Sequence, residues 1–154
     1  MQTEQVRALA ERFIEALSRL ERDGLSALDE LVELFSEDAH LTNPPLEMAG
    51  EERVGHDGAR RFWRTYHDVL GEAESHFSHI TVGRDAAGLF WRTHARGRGR
   101  SGLDYEGVTL LELDDRGLIR YLRAYFDLDV LARAIRRDLE VEPVPATQPD
   151  QRLT

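Results

Sequence analysis

Residues 74–127 read ESHFSHITVGRDAAGLFWRTHARGRGRSGLDYEGVTLLELDDRGLIRYLRAYFD. Four runs rich in apolar, aromatic and β-branched residues, 74–82, 89–98, 103–113 and 118–126, alternate with turn-forming segments. Those segments are 83–88, the pair Ser101-Gly102, and 114–117. The pattern predicts four strands. Their short connections predict antiparallel neighbours. Upstream of this block the period is different. Val6, Leu9, Ala10, Phe13, Ile14, Leu17 and Leu20 recur at three- and four-residue spacing and build one helical stripe. Thr3 is placed to cap it and Gly24 to end it. Leu28, Leu31, Val32, Leu34 and Phe35 mark a second helix, with Ser26 and Asp29 spaced as a capping box. Helices first and a run of strands after them predict an α+β domain. A curved antiparallel sheet with helices on one face can enclose a pocket.

The middle of the chain joins these halves. Residues 39–43 read as a short strand stopped by Pro44-Pro45, and 46–56, with Gly50 and Gly55, as a loop. Asp57 is placed to cap a third helix whose apolar side carries Phe62, Trp63, Tyr66, Val69 and Leu70. Asp127 is placed to cap a closing helix over 128–139. Residues 1–140 therefore read as one domain. Residues 141–154, with three prolines, read as a tail.

Length and composition agree. A chain of 154 residues, 41% hydrophobic and 32% charged, can bury one core. Cysteine is absent, which excludes a disulfide framework, a thiolate metal site and a cysteine nucleophile. The net charge of −9 argues against bulk nucleic acid or an anionic membrane as partner. No apolar run is long enough to span a bilayer, and residues 1–4 do not open a signal peptide. A cytoplasmic location is the expectation. The histidines form no metal-ligand spacing, and no phosphate-cradling loop is present, so neither metal nor cofactor is expected.

One strand stands apart in charge. Residues 89–101 hold four arginines and no acid, +4 against −13 for the rest. Arg92, His94, Arg96, Arg98 and Arg100 share one parity, and in a strand that means one face.

The order of several short motifs is familiar. Residues 33–39 end a helix in an acidic turn leading to Thr42-Asn43-Pro44. Phe62 and Tyr66 follow on a helix. Then come Glu106-Gly107-Val108, residues 114–119, and 123–127 with Tyr125-Phe126-Asp127. The set resembles the nuclear transport factor 2-like superfamily over about residues 5–135. Within it the chain is most similar to SnoaL-like proteins, limonene epoxide hydrolases and ketosteroid isomerases. The resemblance implies a cone-shaped, strongly bent sheet closed by helices, a cystatin-like α+β barrel, around a pocket for small, mostly apolar molecules. It also implies dimers formed through the outer sheet face.

Carried over residue by residue, the known chemistries lose their groups. The isomerase base falls on Asn43, its tyrosine on Phe13 and its second acid on Thr109. In the epoxide hydrolase Asp–Arg–Asp set, the arginine falls on His94 and the two aspartates on Arg96 and Ala124, and the tyrosine falls on Leu41. An amide cannot take a proton from carbon, and both hydrolase carboxylates are gone. What survives is Asn43 and, on the family match, a pocket-facing His94. These two are the candidate catalytic residues. Phe13, Trp63, Tyr66, Arg92, Arg96, Thr109, Leu122 and Ala124 are the candidate pocket lining. Arginines on that wall would favour an anionic ligand. Three readings stand: an enzyme with non-standard groups working on a carbonyl compound, a binding or assembly module that has lost catalysis, and a structural dimer. The dimer face is expected to carry Trp91, Thr93, Val108, Leu110, Tyr121 and Tyr125.

Overall fold

The computed structural model describes residues 2–96 and 102–133. Helix α1 spans Thr3–Asp23 and buries Val6, Leu9, Ala10, Phe13, Ala16, Leu17 and Leu20 along one side. Its cap is Gln2, one residue earlier than Thr3, with the Gln2 N–H donating to Gln5 Oε1 at 3.0 Å. It stops at Gly24, where φ is +80°, a conformation that side-chain-bearing residues adopt at a cost. A 3₁₀ turn, Gly24–Ala27, leads into α2, Leu28–Val32. No capping box forms there, because the Ser26 hydroxyl donates back to the Asp23 carbonyl at 3.3 Å.

Strand β1 covers Phe35–Thr42 and is longer than the sequence suggests. The segment expected to be a loop contains α3, Pro44–Ala49, and a two-residue strand β2, Arg53–Val54. Helix α4, Gly55–Leu70, is capped at Val54, so Asp57 lies inside its first turn rather than at its cap. Strands β3 (Ala73–Val82), β4 (Ala86–Ala95), β5 (Leu103–Leu113) and β6 (Ile119–Phe126) form the expected antiparallel meander. Residues 128–133 are helical, and the Asp127 carboxylate accepts the Asp129 N–H at 2.9 Å as an N-cap should. Arg98, Arg100, the rest of the closing helix and the tail lie outside the described residues.

The sheet order is β2-β1-β6-β5-β4-β3. Strand β1 pairs with β6 in parallel, so the sheet is mixed rather than antiparallel throughout. It is also open: β2 and β3 are its edges, and no barrel closes. The physical reason lies in the connections. Short turns force antiparallel pairing within β3–β6, whereas β1 meets β6 only after the α3–β2–α4 excursion, which allows a parallel approach. Helix α4 packs on β1, and α1 on β3 and β4, which gives one covered face and one open face. The core lies under the helices, with Phe13, Phe35, Leu31, Leu41, Leu89, Leu111, Ile119 and Leu122 at 2% exposure or less.

Candidate functional site

Side-chain parity in β4 decides which chemistry faces inward. Leu89, Thr93 and Ala95 are buried, and Trp91 points the same way; Arg92, His94 and Arg96 are exposed. Arg92, His94 and Arg96 do share a face, but it is the outer one; Arg98 and Arg100 lie outside the described residues. Arg92 pairs with Glu106 across the strands at 3.0 Å, and His94 Nδ1 lies 2.8 Å from Asp104 Oδ1. An ion pair open to water is a weak, solvated arrangement. A charge on an antiparallel sheet faces water unless something inside compensates it. The pocket-facing expectation for Arg92, His94 and Arg96 is therefore corrected. Trp91 and Thr93, expected on the outer face, point into the interior.

Between the helices and the inner sheet face lies a cavity of about 480 Å³. Its walls are aromatic. Phe13 comes from α1, Phe62, Trp63 and Tyr66 from one side of α4, and Phe77, Trp91, Tyr105 and Phe126 from the sheet. Trp63 meets Phe62 and Tyr66 edge-on, and Trp91 meets Tyr105 the same way. The Trp91 ring crosses Gly107: a Cβ there would sit 2.6 Å from the ring and 2.3 Å from the Tyr125 carbonyl. The indole N–H of Trp91 donates to Thr109 Oγ1 at 2.9 Å, which fixes the ring in its plane. The indole nitrogen of Trp63 is buried without a hydrogen-bond partner among the described residues. Exposed residues Pro45, Ala49, Glu51, Thr65 and Val69 form the rim.

Of the expected lining, Phe13, Trp63, Tyr66, Thr109, Leu122 and Ala124 are in the wall, as is Asn43. The three positions matched to isomerase roles, Phe13, Asn43 and Thr109, thus share one cavity. Asn43 also caps α3, its Oδ1 accepting the Leu46 N–H at 3.0 Å. Leu41 is fully buried in the core beside β6 and does not line the cavity.

The polar group that sequence reasoning missed is Glu21, on the last turn of α1. Its Oε2 accepts the Tyr66 hydroxyl at 2.6 Å and the Ser75 hydroxyl at 2.6 Å, and its Oε1 accepts the Ser75 N–H at 3.0 Å. Ser75 Oγ lies 2.7 Å from Thr93 Oγ1. Tyr66, Ser75 and Thr93 line the cavity, and Glu21 stands behind them. Among the described residues no cation pairs with Glu21. Burial first, then the Glu21 charge, pushes the Tyr66 hydroxyl well above the usual 10; the same two causes raise Tyr105. The rim cation, Arg53, is paired with Glu51 at 3.2 Å. Among the described residues no three His, Cys, Asp or Glu side chains gather to hold a metal ion. No helix there is long and apolar enough to cross a membrane.

Comparison with known proteins places these observations in a family. The sequence profile of the SnoaL-like domain matches residues 6–122. A search of curated proteins gave no match. Among solved structures, an NTF2-like protein of unknown function from Exiguobacterium sp. 255-15 is similar with a TM-score of 0.64 at 20% identity, covering 77% of this chain and 98% of that one. A ketosteroid isomerase-like protein of Kribbella flavida DSM 17836 is similar with a TM-score of 0.63 at 22% identity, covering 81% and 79%. A de novo designed protein with a curved β-sheet reaches 0.64 at 14% identity, covering 92% and 99%. Identities this low speak to fold alone, and the designed protein shows that the curved sheet needs no inherited function.

Proposed function

The chain belongs to the SnoaL-like domain family, which includes isomerases and cyclases, and from that premise we propose that its cavity binds a small, mostly apolar, uncharged molecule. The observation that carries this reading is the ring-lined cavity itself, of about 480 Å³ with eight aromatic side chains in its wall. That volume falls in the range of small-molecule sites, roughly 300 to 1,000 Å³. An anionic ligand loses its support once Arg92 and Arg96 sit on the outer face. Arg53 at the rim is already paired, and the Glu21 carboxylate lies behind the inner wall. Both tryptophans of the chain line the cavity, so intrinsic emission reports occupancy directly. Menthone and menthol, which do not absorb where indole does, are suitable probes. Saturable change in tryptophan emission with either supports the reading; no change with both, up to their solubility, overturns it.

A second reading, acid–base catalysis on a carbonyl compound, is favoured by the 2.6 Å bond from Tyr66 to Glu21. A carboxylate behind a hydroxyl can drain its proton while the hydroxyl takes one from a substrate carbon. Menthone tests this, since removal and return of the proton beside its carbonyl yields isomenthone. Faster epimerisation with the wild type than with Glu21→Gln supports catalysis; equal rates count against it.

The outer face supports a homodimer. Phe90, Val108 and Tyr125 lie side by side across three strands, with Phe90 and Tyr125 at 39% and 45% exposure. Leu110 extends this row and Arg123 stacks over Tyr125 at 4.7 Å. A second copy would remove this patch from water. Sedimentation as a monomer at micromolar concentration would remove the dimer reading.

A further inference from the structure

We propose that the inner end of the cavity recognises a neutral hydroxyl group, an alcohol or phenol on an apolar skeleton, through Thr93 and Tyr66. The assignment rests on the cavity binding a small molecule at all, and it adds which polar group that molecule carries.

Proton counting leads there. An ionised carboxylate only accepts hydrogen bonds. Glu21 takes the protons of the Tyr66 hydroxyl, the Ser75 hydroxyl and the Ser75 N–H. The Ser75 hydroxyl proton being committed, the 2.7 Å contact between Ser75 and Thr93 must be made with the Thr93 proton. The hydroxyl protons of Tyr66, Ser75 and Thr93 thus all point toward Glu21 and away from the cavity. What Thr93 and Tyr66 turn to a ligand is lone pairs. Thr93 lines the cavity and is 1% exposed, so bulk water does not compete for its oxygen.

The matching donor comes from the next strand. Tyr105 is the cross-strand partner of Thr93, lines the same cavity, and its hydroxyl makes no hydrogen bond to the described residues. Its proton is held firmly, since burial and Glu21 both oppose ionisation. An alcohol offers both kinds of group, a proton to give to Thr93 or Tyr66 and lone pairs to accept from Tyr105. A ketone at the same place leaves Thr93 and Tyr66 without a donor. A carboxylate would bring a second negative charge toward Glu21, which has no cationic partner among the described residues. A site whose buried polar groups are built for a hydroxyl discriminates against analogues that lack it.

The test compares menthol, menthone and menthanecarboxylate, which share a skeleton, by tryptophan emission titration of the full chain. Menthol is expected to bind about tenfold tighter than menthone, the effect of one well-placed buried hydrogen bond, and the carboxylate weakest. Thr93→Val is expected to bring the menthol and menthone affinities to within about threefold of each other. Arg92→Ala, on the outer face, should leave both unchanged. If Thr93→Val does not fold, as judged by circular dichroism, Tyr66→Phe is read in its place. Equal affinity for menthol and menthone in the wild type overturns the hydroxyl assignment and leaves the cavity-binding reading standing. Tightest binding of the carboxylate overturns the assignment as well. Binding of none of the three removes both readings together.

Discussion

Glu21 follows Leu20, the last buried leucine of α1, where a surface glutamate is the ordinary expectation. Nothing in the sequence separates it from Glu4, Glu11 or Glu15. Its partners, Tyr66 and Ser75, come from α4 and from the start of β3, and only tertiary packing brings them together. The arginine strand is the opposite case, because a signal was present. Arg92 and His94 are mirrored by Glu106 and Asp104 about the β4–β5 turn, which is the pattern of cross-strand ion pairs on a wet face. The apolar alternation of Leu89, Trp91, Thr93 and Ala95 says the same. The family match points His94 inward, and burial of charge without a partner argues against that. Replacing Arg92 or His94 by alanine is therefore expected to change stability by no more than about 0.5 kcal/mol and probe affinity not at all, as read by denaturant titration and tryptophan emission. Gly107→Ala should be costly by about 1 to 3 kcal/mol. The new methyl must displace backbone or the Trp91 ring, and a shifted emission maximum should accompany the loss.

At the scale of elements, the four strands and the two long helices were legible because their periods are clean and their turns carry glycine and aspartate. The short elements were not. Helix α3 buries none of its residues and so leaves no apolar period to read. It exists because Pro44 and Pro45 start it, Asn43 caps it and Gly50 ends it in a left-handed conformation, with φ at +71°. Asn43→Ala should release the Leu46 N–H and destabilise that helix by about 1 kcal/mol. Because α3 contributes little to the core, the expected readout is faster amide exchange at residues 46–50, with the global melting temperature nearly unchanged.

For the whole molecule, the α+β class and the pocket between helices and sheet follow from the order of elements. The open, mixed sheet does not, since pairing between distant strands leaves no local trace. The pocket also sets how the fold responds to alkali. Tyr66 and Tyr105 hold their protons above the ordinary value of 10 in the folded state. The unfolded chain releases those protons first, so their contribution is intact below pH 10 and is lost as pH rises from there toward the raised values. Denaturant midpoints measured from pH 8 upward should stay level to about pH 10 and then fall. Tyr66→Phe should flatten part of that decline.

The parallel pairing of β1 with β6 joins residues more than about eighty positions apart in the chain, Phe35 opposite Ile119. The β3–β6 meander can form from near neighbours, but this last seam closes a long loop and is entropically late. Asn43 at the end of β1 and Leu122 and Ala124 on β6 meet only when it closes. A nascent chain on the ribosome therefore has no finished cavity until nearly all of the domain has emerged. A molecule that needs the finished cavity holds the native state without helping to reach it. Stopped-flow traces with saturating menthol should accordingly show slower unfolding and an unaltered refolding rate.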